Sequence, residues 1–90
     1  MRDWAVPELS RFFGIVIGMF YDEHGPPHFH ARYRDYKISM EIGSGSVVGR
    51  FPPRALLLVQ DWARLHEAEL LANWRRARAG EPLEPITPME

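Results

Sequence analysis

The chain has no cysteine, and that absence removes disulfide frameworks, zinc ribbons, iron-sulfur clusters and thiol nucleophiles together. A reducing compartment is the expectation. Long apolar runs are missing as well: Phe12 to Tyr21 is the longest, about half of the roughly 20 residues a bilayer-crossing helix needs. The N-terminus has no basic flank followed by a small-residue cleavage pattern, so the expected location is the cytoplasm, with no membrane attachment. Excess charge of one sign is lacking too. Eleven Lys and Arg against twelve Asp and Glu leave a formal charge of −1, which supplies no overall attraction to nucleic acid and leaves only a local basic patch to do so.

What is present describes a folded chain. Of 90 residues, 46% are apolar and 26% charged, the composition of one globular domain without room for a second. Residues 1–9, with Trp4, Val6 and Leu9 around Pro7, have no periodicity and are expected to form a loose arm. Residues 10–80 are the expected domain. Residues 81–90, with three prolines, are expected to run extended as a strap.

The segment Ser10 to Asp22 is rich in β-branched and aromatic residues and reads as one internal strand, with Gly14 and Gly18 marking a bulge or a close backbone approach. Asp22-Glu23-His24-Gly25-Pro26-Pro27 collects turn formers, and the paired prolines make the loop stiff. His28 to Tyr33 and Tyr36 to Ile42 follow as strands around the two-residue turn Arg34-Asp35. That register pairs Tyr33 with Tyr36, Ala31 with Ile38 and Phe29 with Met40 on one face. It pairs Arg32 with Lys37, His30 with Ser39 and His28 with Glu41 on the other, so core and polar faces separate. A second hairpin through Ser44-Gly45 sets Ile42 against Val47 and ends at Phe51.

From Pro53 the spacing changes to threes and fours. Ala55, Val59, Trp62, His66, Leu70, Trp74 and Ala77 fall on one helical stripe, which Gly80 and Pro82 terminate after the Arg75, Arg76 and Arg78 cations. Unbroken to Ala79, this helix spans about 40 Å, more than the width of such a domain, so it overhangs or breaks near His66-Glu67-Ala68-Glu69. The fold class expected is α+β: an antiparallel meander of about four strands against a long C-terminal amphipathic helix, continuous or broken.

Three of the four histidines fall between positions 24 and 30. On a strand His28, His30 and Arg32 share a face, with Ser39 and Glu41 opposite and His24 within reach of the loop. Three roles fit. The imidazoles of His28 and His30, with His24 or Glu41, form a zinc-type ligand set. His28 and His30 could instead act as acid and base, with Arg32 holding a phosphate, in a ribonuclease. Or the histidines satisfy backbone groups freed by the stiff turn, with Glu41 pairing His28. His66 is expected to be half-buried and hydrogen-bonded to the sheet or a loop, and Trp62 and Trp74 are expected in the core.

The segments Ser10-Arg11-Phe12-Phe13-Gly14 and Phe20 to Ala31, with its double proline and His-x-His, together with Trp62, Glu69-Leu70-Leu71 and Trp74, resemble domain-of-unknown-function family 4160 over residues 10–80. Residues 1–9 extend beyond that family's usual start. The resemblance implies a short bacterial cytoplasmic protein, often encoded beside a second small protein and suspected of belonging to toxin-antitoxin pairs, with no established activity to transfer. His24, Pro26, Pro27, His28 and His30 are the positions that match its site-like motif. The reading that combines these is a protein-interaction module, one component of a two-protein system, rather than an enzyme. A histidine-dependent ribonuclease and a His-based metal-binding protein are its alternatives. The partner expected is a second small protein; a homo-oligomer is an open alternative, and RNA is a less favoured one.

Overall fold

The structure is a computed structural model and describes residues 6–90; Trp4 and the rest of the first five residues lie outside the described part. Five strands run in sequence order as an antiparallel meander: β1 (Glu8–Phe12), β2 (Ile15–Gly18), β3 (His28–Tyr33), β4 (Tyr36–Glu41) and β5 (Val47–Gly49). Two helices follow, α1 (Pro53–Leu65) and α2 (Glu67–Ala79). The fold is α+β, as the periodicities predict.

The segment expected to be one internal strand is instead a hairpin. Phe13 and Gly14 both have positive φ, 52° and 79°, the requirement of a two-residue turn whose twist suits a hairpin. β2 is internal, but β1 lies at the edge of the sheet. The last residues of the expected arm, the ones the structure describes, are packed. Glu8 and Leu9 belong to β1, Leu9 is buried, and the Met19 N–H donates to the Pro7 carbonyl at 3.0 Å.

The β3–β4 hairpin has the register its face pattern predicts, from Tyr33↔Tyr36 to His28↔Glu41. The β4–β5 pairing is displaced: Val47 faces Met40 rather than Ile42, and β5 stops at Gly49 rather than Phe51. A shift of two residues preserves which side chains face the core, so the pattern alone leaves it open. Gly49 holds φ +110°, and a Cβ there would lie 2.4 Å from the Lys37 carbonyl oxygen. Gly49→Ala is therefore expected to lower stability by about 2–3 kcal/mol, or to detach β5, measured as a fall in the urea midpoint.

The core lies between the sheet's inner face and the helices. Ile15, Ile17, Phe29, Ala31, Ile38 and Met40 meet Ala55, Val59, Trp62, Leu70, Trp74 and Ala77, all buried. The helical stripe breaks at His66, whose ψ of 25° leaves the helical range. The bonds His66 N–H to Trp62 O (3.1 Å) and Leu70 N–H to His66 O (2.9 Å) carry the chain across the bend. Glu67 and Glu69 begin the new helix where its dipole favours acid. His66 is half-buried as expected, but its Nδ1–H donates to Glu69 Oε1 (2.6 Å) rather than to the sheet, with the ring over Trp62.

Residues 81–90 form no helix or strand, yet they close the core. Ile86 is buried, its N–H donates to the Leu9 carbonyl (2.9 Å), and Trp62 Nε1–H donates to the Thr87 carbonyl (2.9 Å). The Asn73 amide donates to the Glu84 carbonyl (2.9 Å) and accepts from the Glu84 N–H (2.8 Å). The packed unit therefore reaches beyond the expected boundaries at residues 10 and 80. Among the described residues no helix is long and apolar enough to cross a membrane.

Candidate functional site

β3 alternates sides as a strand must, so burying Phe29 and Ala31 turns His28, His30 and Arg32 to the sheet's outer face. The loop after β2 folds back beside them. Its prolines fix the path, and the Pro27 carbonyl accepts the Ile42 N–H (2.9 Å), which continues the ladder into the loop and anchors it. The outcome is that Glu23 meets the two histidines. Its Oε1 lies 2.9 Å from His28 Nε2 and 2.6 Å from His30 Nε2.

The site is partly withdrawn from water. The side chains of Glu23, His28 and His30 are each about one-fifth exposed (19%, 20% and 18%). The His28 ring packs against buried Trp74 of α2 at 5.1 Å between centroids, and the His30 ring meets the edge of Phe20 at 4.9 Å. The imidazoles meet each other edge to face at 5.3 Å. An apolar wall on two sides strengthens every electrostatic interaction inside.

The hydrogen bonds fix one tautomer. His28 Nδ1 lies 2.9 Å from the Pro26 carbonyl, which can only accept, so Nδ1 carries the hydrogen. In the neutral ring Nε2 then presents a lone pair toward a carboxylate oxygen that also only accepts. Two acceptors at 2.9 Å require a proton or a cation between them. A backbone carbonyl on the far nitrogen is also the partner that orients metal-ligating histidines.

The resulting set differs from the one read off the sequence. His28 and His30 come together as expected. His24 is exposed on the loop, outside the cluster. Glu41 faces His28 in the backbone register, but its carboxylate accepts from the Ser44 hydroxyl in the β4–β5 loop and borders a groove against Gln60 and Arg64 of α1. Among the described residues, Glu23, His28 and His30 are the one group whose ligand atoms gather, within 4.8 Å of one another. Sequence reasoning missed Glu23, whose only signal was its position at the start of the stiff loop. Arg32 stands on the same face one step further along β3, opposite Lys37. Arg11 is engaged elsewhere: it donates to Glu8 at 2.8 Å and 3.2 Å, and these hydrogen bonds hold the Glu8 carboxyl below its ordinary value.

A five-stranded meander backed by a bent C-terminal helix, with a histidine–carboxylate cluster on the sheet face opposite Phe29 and Ala31 and against Trp74 of α2, defines a small α+β domain. Residues 14–75, more than half of the chain, match the model of the family described as Domain of unknown function (DUF4160), and the chain belongs to that family. No curated protein and no solved structure matches the chain.

Proposed function

We propose that the protein binds one divalent transition-metal ion, with zinc as the reference ion, through Glu23, His28 and His30. The observation that carries this reading is the facing of two acceptors, the His28 Nε2 lone pair and Glu23 Oε1, behind a tautomer locked by the Pro26 carbonyl. Two imidazoles and one carboxylate are a zinc ligand set that leaves a fourth position open. Ligand atoms around tetrahedral zinc stand about 3.4 Å apart, so contacts of 2.6 and 2.9 Å need to open by roughly 0.5–0.8 Å, within the reach of side-chain torsions.

Zinc titration of the chelator-treated full chain should give one equivalent. At a hundred times Kd, zinc should stabilise the fold by about 2.7 kcal/mol, raising the melting temperature on the order of 10 °C. Glu23→Gln or His28→Ala with His30→Ala should weaken zinc by more than about a hundredfold, beyond what loss of an orienting partner costs. His24→Ala and Glu41→Gln should leave it unchanged. A melting temperature indifferent to zinc would exclude the metal and leave a shared proton as the bridge.

We also infer a second reading, a partner-binding module of a bacterial two-protein, toxin-antitoxin-like system, which rests on a different observation. The β1 edge is joined to the chain's own Ile86, whereas β5 at the opposite edge has no strand neighbour among the described residues and leaves Val48 74% exposed. Isolation from the native cells, with and without ribonuclease, tests it. A stoichiometric small protein that survives ribonuclease and is lost on Val48→Lys supports it. Recovery of RNA alone would refute it.

A further inference from the structure

Backbone strain gathers at one end of the sheet. Among the described residues, two that are not glycine have positive φ, Phe13 at 52° and Arg34 at 55°. Each sits in a hairpin turn, Phe13 between β1 and β2 and Arg34 between β3 and β4. In a meander that keeps sequence order these turns lie at the same end, two strand spacings or about 10 Å apart. Tyr33 ties them together. A Cβ on Gly14 would lie 3.3 Å from its ring, and the Arg34 guanidinium stands 5.2 Å from the ring centroid.

A left-handed backbone costs phenylalanine free energy that glycine or asparagine does not lose, and a ring left in water forgoes the burial that would offset it. Phe13 bears both costs, being 60% exposed. An outlier of this kind, exposed at a loop tip, is the kind that clusters at ligand sites. Its aromatic neighbours extend the surface. Tyr36, directly opposite Tyr33, is 46% exposed, and Phe51 brings a further ring to 6.2 Å from Tyr33.

The charge around these rings is mostly of one sign. Residues 33–37 and 50–54 hold Arg34, Lys37, Arg50 and Arg54, all exposed, with Asp35 as their one acid. Gly49 pairs with Ile38, so Arg50 enters beside Lys37, and Arg54 lies in the first turn of α1. A chain of net charge −1 therefore concentrates cations at its aromatic tips, which is the local basic patch that nucleic-acid binding requires. Tyrosine and arginine also serve protein interfaces. A surplus of cations among exposed rings is complementary instead to a polyanion that carries flat bases.

We propose that this end of the sheet binds single-stranded RNA, with bases stacked on Phe13 and Tyr36 and phosphates met by Arg34, Lys37, Arg50 and Arg54. The Tyr36 hydroxyl supplies a partner for a ribose 2′-hydroxyl. β3 runs from His28 to Tyr33, so the histidine cluster lies toward the other end of the sheet, and the binding needs no metal.

The test is the fluorescence anisotropy of a short labelled oligouridylate titrated with the full chain. Expected is salt-dependent binding that weakens about tenfold in Phe13→Asn and in Tyr36→Ala. Asparagine accepts positive φ, so Phe13→Asn should keep or raise the melting temperature, which separates loss of the stacking ring from loss of the fold. Arg50→Gln combined with Arg54→Gln should make the slope of log affinity against log salt shallower by about 1.4. The matching oligodeoxyuridylate should bind more weakly, and Glu23→Gln should leave RNA binding unchanged. No binding of the oligouridylate, or equal binding by Phe13→Asn, Tyr36→Ala and the unaltered chain, would overturn the inference and leave the tips to a protein partner. Equal affinity for the oligodeoxyuridylate would overturn the assignment to RNA, and loss of binding in Glu23→Gln would move the RNA to the histidine cluster.

Discussion

A chain ending at Gly80 should be largely unfolded at 37 °C, because the ten residues removed form one wall of the core rather than a tail. Ile86 is buried, and Leu83 and Met89 pack against the same cluster. Burying one such side chain contributes about 1.5–3 kcal/mol. The deletion also leaves the buried Asn73 amide and the Trp62 Nε1–H without their carbonyl partners, at about 1–3 kcal/mol for each group that water does not reach. Ile86 and these two groups together amount to about 3.5–9 kcal/mol, comparable to the whole stability of many domains of this size. Far-UV circular dichroism against urea measures it directly. Ile86→Asp in the full chain should reproduce most of the loss, which separates the loss of packing from the shortening of the chain. A truncated chain with an unchanged urea midpoint would mean that the strap merely rests on the fold.

Trp62→Ala should cost about 3–5 kcal/mol, the range for removing a large aromatic side chain from a close-packed core. Trp62 is fully buried where the sheet, the helical bend and the strap converge. Its ring lies 5.4 Å from Phe12, 6.2 Å from Phe29 and 5.2 Å from His66, and its Nε1–H reaches Thr87. Trp62→Phe keeps most of the aromatic contact and gives up the hydrogen bond, so about 1–2 kcal/mol is expected. Equal losses in the two variants would show that the hydrogen bond to the strap, not the ring, carries the contribution. Both variants can be followed by thermal melts read in the far ultraviolet, which do not depend on tryptophan fluorescence.

Local rules accounted for much of the architecture. The β3–β4 register followed from a single pairing that placed every apolar residue on one face, and Gly80, with φ 72°, ends α2 where the glycine and the following proline indicate. Length alone left the helix to overhang or to break near His66-Glu67-Ala68-Glu69; the structure breaks it at His66, and the molecule's longest extent of 34 Å is shorter than an unbroken helix. The β1–β2 turn was not legible. Phenylalanine is a poor candidate for positive φ, so Phe13-Gly14 has only one of the two residues expected in such a turn, and the apolar run on both sides conceals the reversal.

The sequence by itself determined the class of fold, the two faces of the central hairpin and the sharing of one face by His28 and His30, because strand and helix periodicities are local properties of the chain. Only the tertiary structure decided that Glu23, and neither His24 nor Glu41, completes the cluster, and that residues 81–90 belong to the core. Both depend on where a loop without periodicity comes to rest. That is set by the carbonyls of Pro26 and Pro27, by Trp74 reaching over from α2 and by Asn73 holding Glu84, contacts between residues far apart in the chain, or across an aperiodic turn, that no local pattern encodes.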